Sequence, residues 1–353
     1  MQTLFRRLLQ LMPRVGVQVT DLGPGAAVVS RRGGPYEVTD VNAATKVVSR
    51  RGGPYRVTGV DKDTWVLRRT RDGARTGVAE TGVVPLGDSG AVLLIEDPEH
   101  QDERRIQLSA AEYLCVQHVV AMLELYGVNC VFDVGANTGQ YAKRLRKSGY
   151  TGRIVSFEPT SETFARLAKA AENDPDWQVH QCGLGREETT AEIHKSWLTM
   201  NSLLPASEYG KGRYGRFKNS DTEEIRIRRL DEVMDEALAG LAGPVPYLKM
   251  DTQGYDLEVF AGAGKRVAEF VGMQSEVACL RLYEGSPTMG EAVAAYEAEG
   301  FGITGMYPVT REATTGRVIE FDCVMMRATA APAQASPTPT SQASTASQAS
   351  QAS

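Results

Sequence analysis

The sequence is poor in the residues that usually build metal and redox centres. Its five cysteines (Cys115, Cys130, Cys182, Cys279 and Cys323) are scattered and odd in number, with no C-x-x-C pair. That pattern argues against a zinc site or a disulfide framework and suits buried free thiols in a reducing, cytoplasmic compartment. The four histidines do not cluster. His180 and His194 fall in strand-like runs, where a lone imidazole is more often structural than a base. No global excess of positive charge exists, since the formal net charge is −5, so no nucleic-acid partner is expected. No uninterrupted apolar run approaches the roughly 20 residues needed to cross a bilayer, and no transmembrane segment is expected. The start, MQTLFRRLLQLMPR, is interrupted by Arg6 and Arg7 and ended by Pro13. It lacks the apolar stretch of a secretory signal and reads as a short docking helix, with weak peripheral membrane contact through residues 4–12 as the alternative.

What is present falls into three parts. Residues 1–108 form an appendage with strand-like runs and a tandem duplication: VVSRRGGPYEVT begins at Val28 and VVSRRGGPYRVT at Val47, so the repeat covers 28–46 and 47–65. Two copies are too few for a solenoid. Each copy joins β-prone pieces through Gly-Gly-Pro, which suggests small hairpins. From 109 to 327 the texture alternates between strand and helix. Ser109 and Glu112 have capping-box spacing ahead of a helical stripe that Gly127 closes. CVFDVG, RIVSFEP, WQVHQCG, YLKMD and GMQSEVA each precede a helical or turn segment, and ITGMYPV and VIEFDCVMMR follow as a closing pair. This alternation predicts an α/β fold with a mostly parallel sheet, helices on both faces and a terminal antiparallel strand pair. Residues 328–353 hold only Ala, Ser, Thr, Gln and Pro, too little apolar surface to offset ordering entropy, so a disordered tail is expected.

The stretch CVFDVGANTGQYAKRL reads as a strand running through a glycine turn into a helix. Gly135 and Gly139 bracket small residues at the carboxyl end of the first strand, where open α/β sheets hold ligands. Asp133 precedes the turn. Glu158 ends the second strand about 20 residues on, the place of an acid that accepts hydrogen bonds from ribose hydroxyls. An adenosine-containing ligand follows from this, and three candidates compete. A P-loop needs Gly-Lys-Ser/Thr after the turn, which is missing. The dinucleotide fingerprint needs glycine where Asn137 stands, which argues against a nicotinamide enzyme. S-adenosylmethionine has no phosphates to cradle, so a looser turn with acidic neighbours suits it.

Further segments carry a family resemblance. DVGANTGQYAKRLRKSGYTGRIVSFEP, NSLLP, IRIRRLDEVMDE, YLKMDTQGYDLEVFAGA, MQSEVACLRLYEGSP and TGRVIEFDCVMMR, in that order across residues 109–327, resemble the FkbM family of methyltransferases. The resemblance implies a class I methyltransferase (Rossmann-like) fold with a seven-stranded sheet, S-adenosylmethionine as methyl donor, and O-methylation of a hydroxyl on a sugar, glycan or glycosylated natural product. The acceptor is then a small molecule or glycan. The donor would rest on Asp133, Gly135, Asn137, Gly139 and Glu158.

Methyl transfer is an in-line displacement, helped by alignment and by a base for an alcohol acceptor. Asp251, ending YLKMD, is the candidate base or acceptor-positioning group, with helix capping as its structural alternative. Glu276, ending the next strand, is placed to pair with it. The two could share a proton or hold a divalent cation, but no third ligand is evident and a metal is not expected. Asn201 and Ser202 in TMNSLLP, and Tyr283 in RLYEGSP, are candidate acceptor contacts; turn chemistry is the competing role for the first two and a surface loop for the third. A non-catalytic donor-binding or scaffold protein is the alternative from a different class.

Overall fold

The computed structural model describes residues 17–23, 26–31, 36–40, 46–50, 55–59, 64–69, 82–85, 91–95, 103–196, 199–218 and 221–327. The expected docking helix at 4–12 and the expected disordered tail at 328–353 lie outside them. The chain divides into two compact units, residues 1–114 and 115–353.

In the first unit β1 (Val17–Gly23) pairs with β2 (Ala26–Arg31), and β3 (Tyr36–Asp40) with β4 (Lys46–Arg50), both antiparallel. A four-stranded sheet holds β5 (Tyr55–Gly59), β6 (Thr64–Arg69), β7 (Gly82–Pro85) and β8 (Ala91–Ile95) in the order β5-β6-β8-β7. The duplication does not make one hairpin per copy. The first repeat supplies β2 and β3 and the second β4 and β5, so the β3–β4 hairpin joins the end of one copy to the start of the next. The two strands flanking each Gly-Gly-Pro belong to different sheets.

Helix α1 (Glu103–Leu125) begins six residues before Ser109, which is buried within it. Good helix formers ahead of Ser109 extend the helix past the capping-box spacing. Within α1, Gln107–Leu125 is long and apolar enough to cross a membrane by length and composition, and 33% of it is buried. Ser109, Glu112 and Gln117 interrupt that stretch, so uninterrupted apolar runs do not reveal it. Cys115, Val119 and Leu123 pack into a core with Val131, Leu145 and Ile154.

The second unit is built on seven strands: β9 (Cys130–Val134), β10 (Arg153–Phe157), β11 (Trp177–His180), β15 (Pro246–Met250), β16 (Gly272–Ala278), β17 (Phe301–Arg311) and β18 (Val318–Arg327), in the spatial order β11-β10-β9-β15-β16-β18-β17. Six strands run the same way, and β18 runs against them, antiparallel to both β16 and β17. Numbered within the sheet this is 3-2-1-4-5-7-6, the class I methyltransferase arrangement that the resemblance implies. A smaller sheet holds β12 (Gly183–Gly185), β14 (Asp221–Arg229) and β13 (Thr189–Lys195). Helices α2 (Gln140–Lys147) and α3 (Ser161–Ala171) cover one face with α1, while α5 (Leu230–Leu238), α6 (Asp256–Gly262) and α7 (Met289–Ala298) cover the other. Short α4 (Glu208–Arg213) lies between β13 and β14 in sequence. Along β9 the pleat sends Val131 to the α1 side and Cys130, Phe132 and Val134 to the α5 side. The order of strands reverses between β9 and β15, and at such a switch point the carboxyl ends of parallel strands open a crevice.

Candidate active site

A cavity of about 240 Å³ opens at that switch point. The β9–α2 turn, the ends of β10 and β15, and residues Cys182, Ile193, Asn201 and Ile225 form its walls. Two of the turn's glycines are required by protein packing. Gly135 has φ 75, and a Cβ there would fall on the carbonyl oxygen of Asp251. Gly139 has φ 84, and its Cβ would stand 2.6 Å from the Trp177 ring. Asn137 also adopts a left-handed backbone, φ 52, a conformation asparagine tolerates better than most residues. The main-chain nitrogens of Gly135 and Ala136 donate to the carbonyl of Phe157 at 3.1 and 3.0 Å, tying the turn to β10.

Glu158 stands in the cavity wall with 6% of its surface exposed. Its Oε2 accepts from the Asn137 amide at 3.1 Å, and its Oε1 accepts from the Thr160 amide at 3.0 Å and hydroxyl at 2.6 Å. Burial raises its carboxyl pKa, against the hydrogen bonds from Thr160 and Asn137 that favour the carboxylate. A carboxylate has about four acceptor positions, so capacity remains for a ligand hydroxyl.

Beneath the turn a row of polar side chains crosses the sheet. Register sets Ser156 beside Asp133, Asp133 beside Lys249, and Lys249 beside Gln274. Trp177 Nε1 donates to Ser156 Oγ at 2.9 Å, and Ser156 Oγ donates to Asp133 Oδ2 at 3.0 Å. Lys249 Nζ lies 3.3 Å from Asp133 Oδ1, 3.4 Å from Asp251 Oδ2 and 5.3 Å from the centre of the Tyr141 ring. Gln274 Nε2 donates to Asp322 Oδ1 at 2.9 Å, and its Oε1 accepts from Tyr141 OH at 3.1 Å. Burial works against the Lys249 charge, but Asp251, Asp133 and Asp322 outweigh it and hold the ammonium protonated. Asp133 is fully buried and absent from the cavity wall, whereas Lys249, Gln274 and Asp322 line it. Asp133 meets the cavity-lining Lys249 rather than the cavity itself.

Asp251 follows β15, with its main-chain nitrogen bonded to the Val134 carbonyl at 3.0 Å. Its side chain is 41% exposed and lines the cavity. The helix-capping alternative does not hold for Asp251: α6 has Tyr255 at its N-cap and no side-chain capping bond, while Asp256 Oδ1 braces the preceding turn by accepting from the Thr252 amide at 2.8 Å and from the Thr252 hydroxyl. Glu276 is brought to Asp251 through Gln253, whose Nε2 donates to Asp251 Oδ1 and to Glu276 Oε2, each at 3.0 Å. Glu276 lines a separate small cavity of about 20 Å³ together with Glu320 and Tyr283. Burial, then the charges of Glu320 and Asp251, push the Glu276 carboxyl well above its ordinary range. Burial pushes Glu320 up to about 8 and Asp322 up to about 6. Among the described residues no group of three His, Cys, Asp or Glu side chains could hold a metal ion.

The expected acceptor contacts separate. Asn201 lines the main cavity, and its buried Oδ1 has no hydrogen-bond partner among the described residues. Ser202 is buried, with its hydroxyl donating to the Gln253 carbonyl at 2.8 Å and accepting from the Leu204 amide at 3.0 Å. Tyr283 is buried and donates to Gln253 Oε1 at 2.8 Å. His180 stacks on Phe157 at 5.1 Å, and burial lowers its pKa, keeping the ring neutral. His194 pairs through its main chain with Ser202. Neither histidine lines the main cavity.

The chain carries a domain matched by the family model described as Methyltransferase FkbM domain, over residues 133–301. It is 23% identical over 188 residues to Methyltransferase 1 of Beauveria bassiana (strain ARSEF 2860), covering 49% of this chain and 72% of that protein. Among solved structures it is similar to magnesium protoporphyrin IX methyltransferase (ChlM) from Synechocystis PCC 6803 with bound SAM, at 12% identity and a TM-score of 0.34, covering 64% of this chain and 85% of that one. It is also similar to Aeropyrum pernix fibrillarin in complex with natively bound S-adenosyl-L-methionine, at 10% identity and a TM-score of 0.36, covering 77% and 99%. The fold is defined by its own strand order.

Proposed function

We propose that this protein is a methyltransferase that takes its methyl group from S-adenosylmethionine and passes it to a hydroxyl of a sugar, glycan or glycosylated natural product. The observation that carries the reading is the placement of Glu158 and Asp251 in the walls of one cleft at the switch point of the sheet. The family match over residues 133–301 supports methyl transfer. The residues present suit the donor's chemistry. Glu158 retains acceptor capacity for ribose hydroxyls, Cys182, Leu184 and Ile225 offer an apolar wall, and Asp251 and Asp322 supply negative charge toward a sulfonium. The unpartnered Asn201 Oδ1 asks for a donor from a bound molecule.

When bound, the donor supplies an electrophilic methyl carbon on a positively charged sulfur. Everything else falls to the chain. Glu158 would hold the ribose end, with Gly135, Ala136 and Asn137 of the glycine turn in the same cavity wall. Asp251 is exposed enough to meet an acceptor hydroxyl and would take its proton, while the donor's carbon–sulfur bond breaks and S-adenosylhomocysteine leaves. Lys249 Nζ, 3.4 Å from Asp251 Oδ2, holds that side chain at the cavity wall. Asn201 accepts a hydrogen bond from a further acceptor hydroxyl. Calorimetric titration of the full chain with S-adenosylmethionine, S-adenosylhomocysteine and NAD tests the donor assignment. Binding of the first two without NAD is expected, and binding of NAD alone would refute it.

A further inference from the structure

Gln253 ties together parts of the site that are distant in sequence. Its backbone is left-handed, φ 54, which turns its side chain back between the ends of β15 and β16. One amide nitrogen serves both Asp251 Oδ1 and Glu276 Oε2 at 3.0 Å, and the amide oxygen accepts from Tyr283 OH at 2.8 Å. Its main-chain oxygen accepts from Ser202 Oγ at 2.8 Å. A flipped amide would aim its oxygen at two carboxylate oxygens, so the network selects one orientation.

We propose that Gln253 is a positioning residue for Asp251: its amide fixes that carboxylate in the cleft wall and prevents Asp251 and Glu276 from sharing a proton. The inference rests on the reading of Asp251 as the acceptor-side base. Two carboxylates on neighbouring strand ends, with nothing between them, titrate as a pair and hold one proton in common. An amide nitrogen has two hydrogens, one for each carboxyl oxygen, and stands between the two groups that would otherwise share a proton. The need is acute because Asp251 faces mostly acids: Asp133 from β9, Glu276 from β16, Glu320 and Asp322 from β18, and Asp256 from α6. Against these stands Lys249, on Asp251's other oxygen at 3.4 Å. Glutamate at 253 would remove both donated bonds and add a further negative charge.

The test needs no acceptor. Full-length protein isotope-labelled at its Asp and Glu carboxyl carbons is titrated by NMR, with the Asp251 signal identified by its loss in Asp251→Asn. Gln253→Glu is expected to raise the Asp251 midpoint by about one pH unit or more, and Gln253→Met to raise it by less. S-adenosylhomocysteine affinity, read by calorimetry, should stay within about threefold in both variants. An Asp251 midpoint unmoved in both variants overturns the proposal, and Gln253→Met decides alone if Gln253→Glu does not fold. Failure of the unmodified protein to bind S-adenosylhomocysteine would instead overturn the underlying reading.

Discussion

Lys249 Nζ lies 3.3 Å from Asp133 Oδ1, one strand away in the middle of the sheet, and both residues are buried. The pair joins the floor of the glycine turn to the strand that carries Asp251. Without Lys249 the fully buried Asp133 would keep only the Ser156 hydroxyl as a side-chain partner, and breaking a buried pair costs far more than the pair itself contributes. Lys249→Met is therefore expected to destabilise the protein by about 3–5 kcal/mol. Lys249→Met combined with Asp133→Asn should cost less than the sum of the single changes, as read by denaturant unfolding of all three variants. Additive losses would contradict the pairing.

Gly135 meets the backbone of Asp251, so the turn and the proposed base are in direct register. Gly135→Ala should lose at least about 2 kcal/mol through left-handed strain and overlap. It should also weaken S-adenosylhomocysteine binding, measured by thermal unfolding with and without that ligand. A variant as stable as the unmodified protein would show that β9 and β15 can separate at no cost.

Glu158→Gln keeps the shape of the wall and removes the charge. The loss of a charge-assisted hydrogen bond, about 1.5–3 kcal/mol, corresponds to roughly tenfold to hundredfold weaker donor binding by calorimetry. Unchanged affinity would remove Glu158 from the donor site.

Glu320 gives a pH prediction of definite sign. Its carboxyl is raised from an ordinary 4.5 to about 8 in the folded chain, chiefly by burial. The folded state thus holds that proton more tightly than the unfolded state. The contribution to stability is fully present below 4.5 and is lost as pH climbs through about 8. Glu320→Gln, which cannot ionise, should gain stability relative to the unmodified protein between pH 5 and 8, as measured by unfolding midpoints at several pH values. A difference that stays flat with pH would refute the assignment.

Sheet and helices were readable because alternating and helical periodicities are local. CVFDVG, RIVSFEP and YLKMD announced strands, and Glu158 and Asp251 stood at strand ends where chemistry is expected. Lys249 and Gln274 are polar residues within largely apolar strand sequences, and only register shows that they form a row with Asp133 and Ser156. Gln253 read as a turn former, since both carboxylates it touches matter only once β15 and β16 lie side by side. The glycines were assigned by sequence to a ligand's approach, while in the structure Asp251 and Trp177 occupy the space they leave. The duplication suggested hairpins within each copy because pairing between copies cannot be seen in a repeat unit.

A crystal structure of the full chain with S-adenosylmethionine bound tests the central claim most directly. The account predicts ribose hydroxyls against Glu158 and the sulfonium methyl facing Asp251 across the cleft at the switch point. Density for the donor elsewhere, or with its methyl group turned away from Asp251, would contradict it.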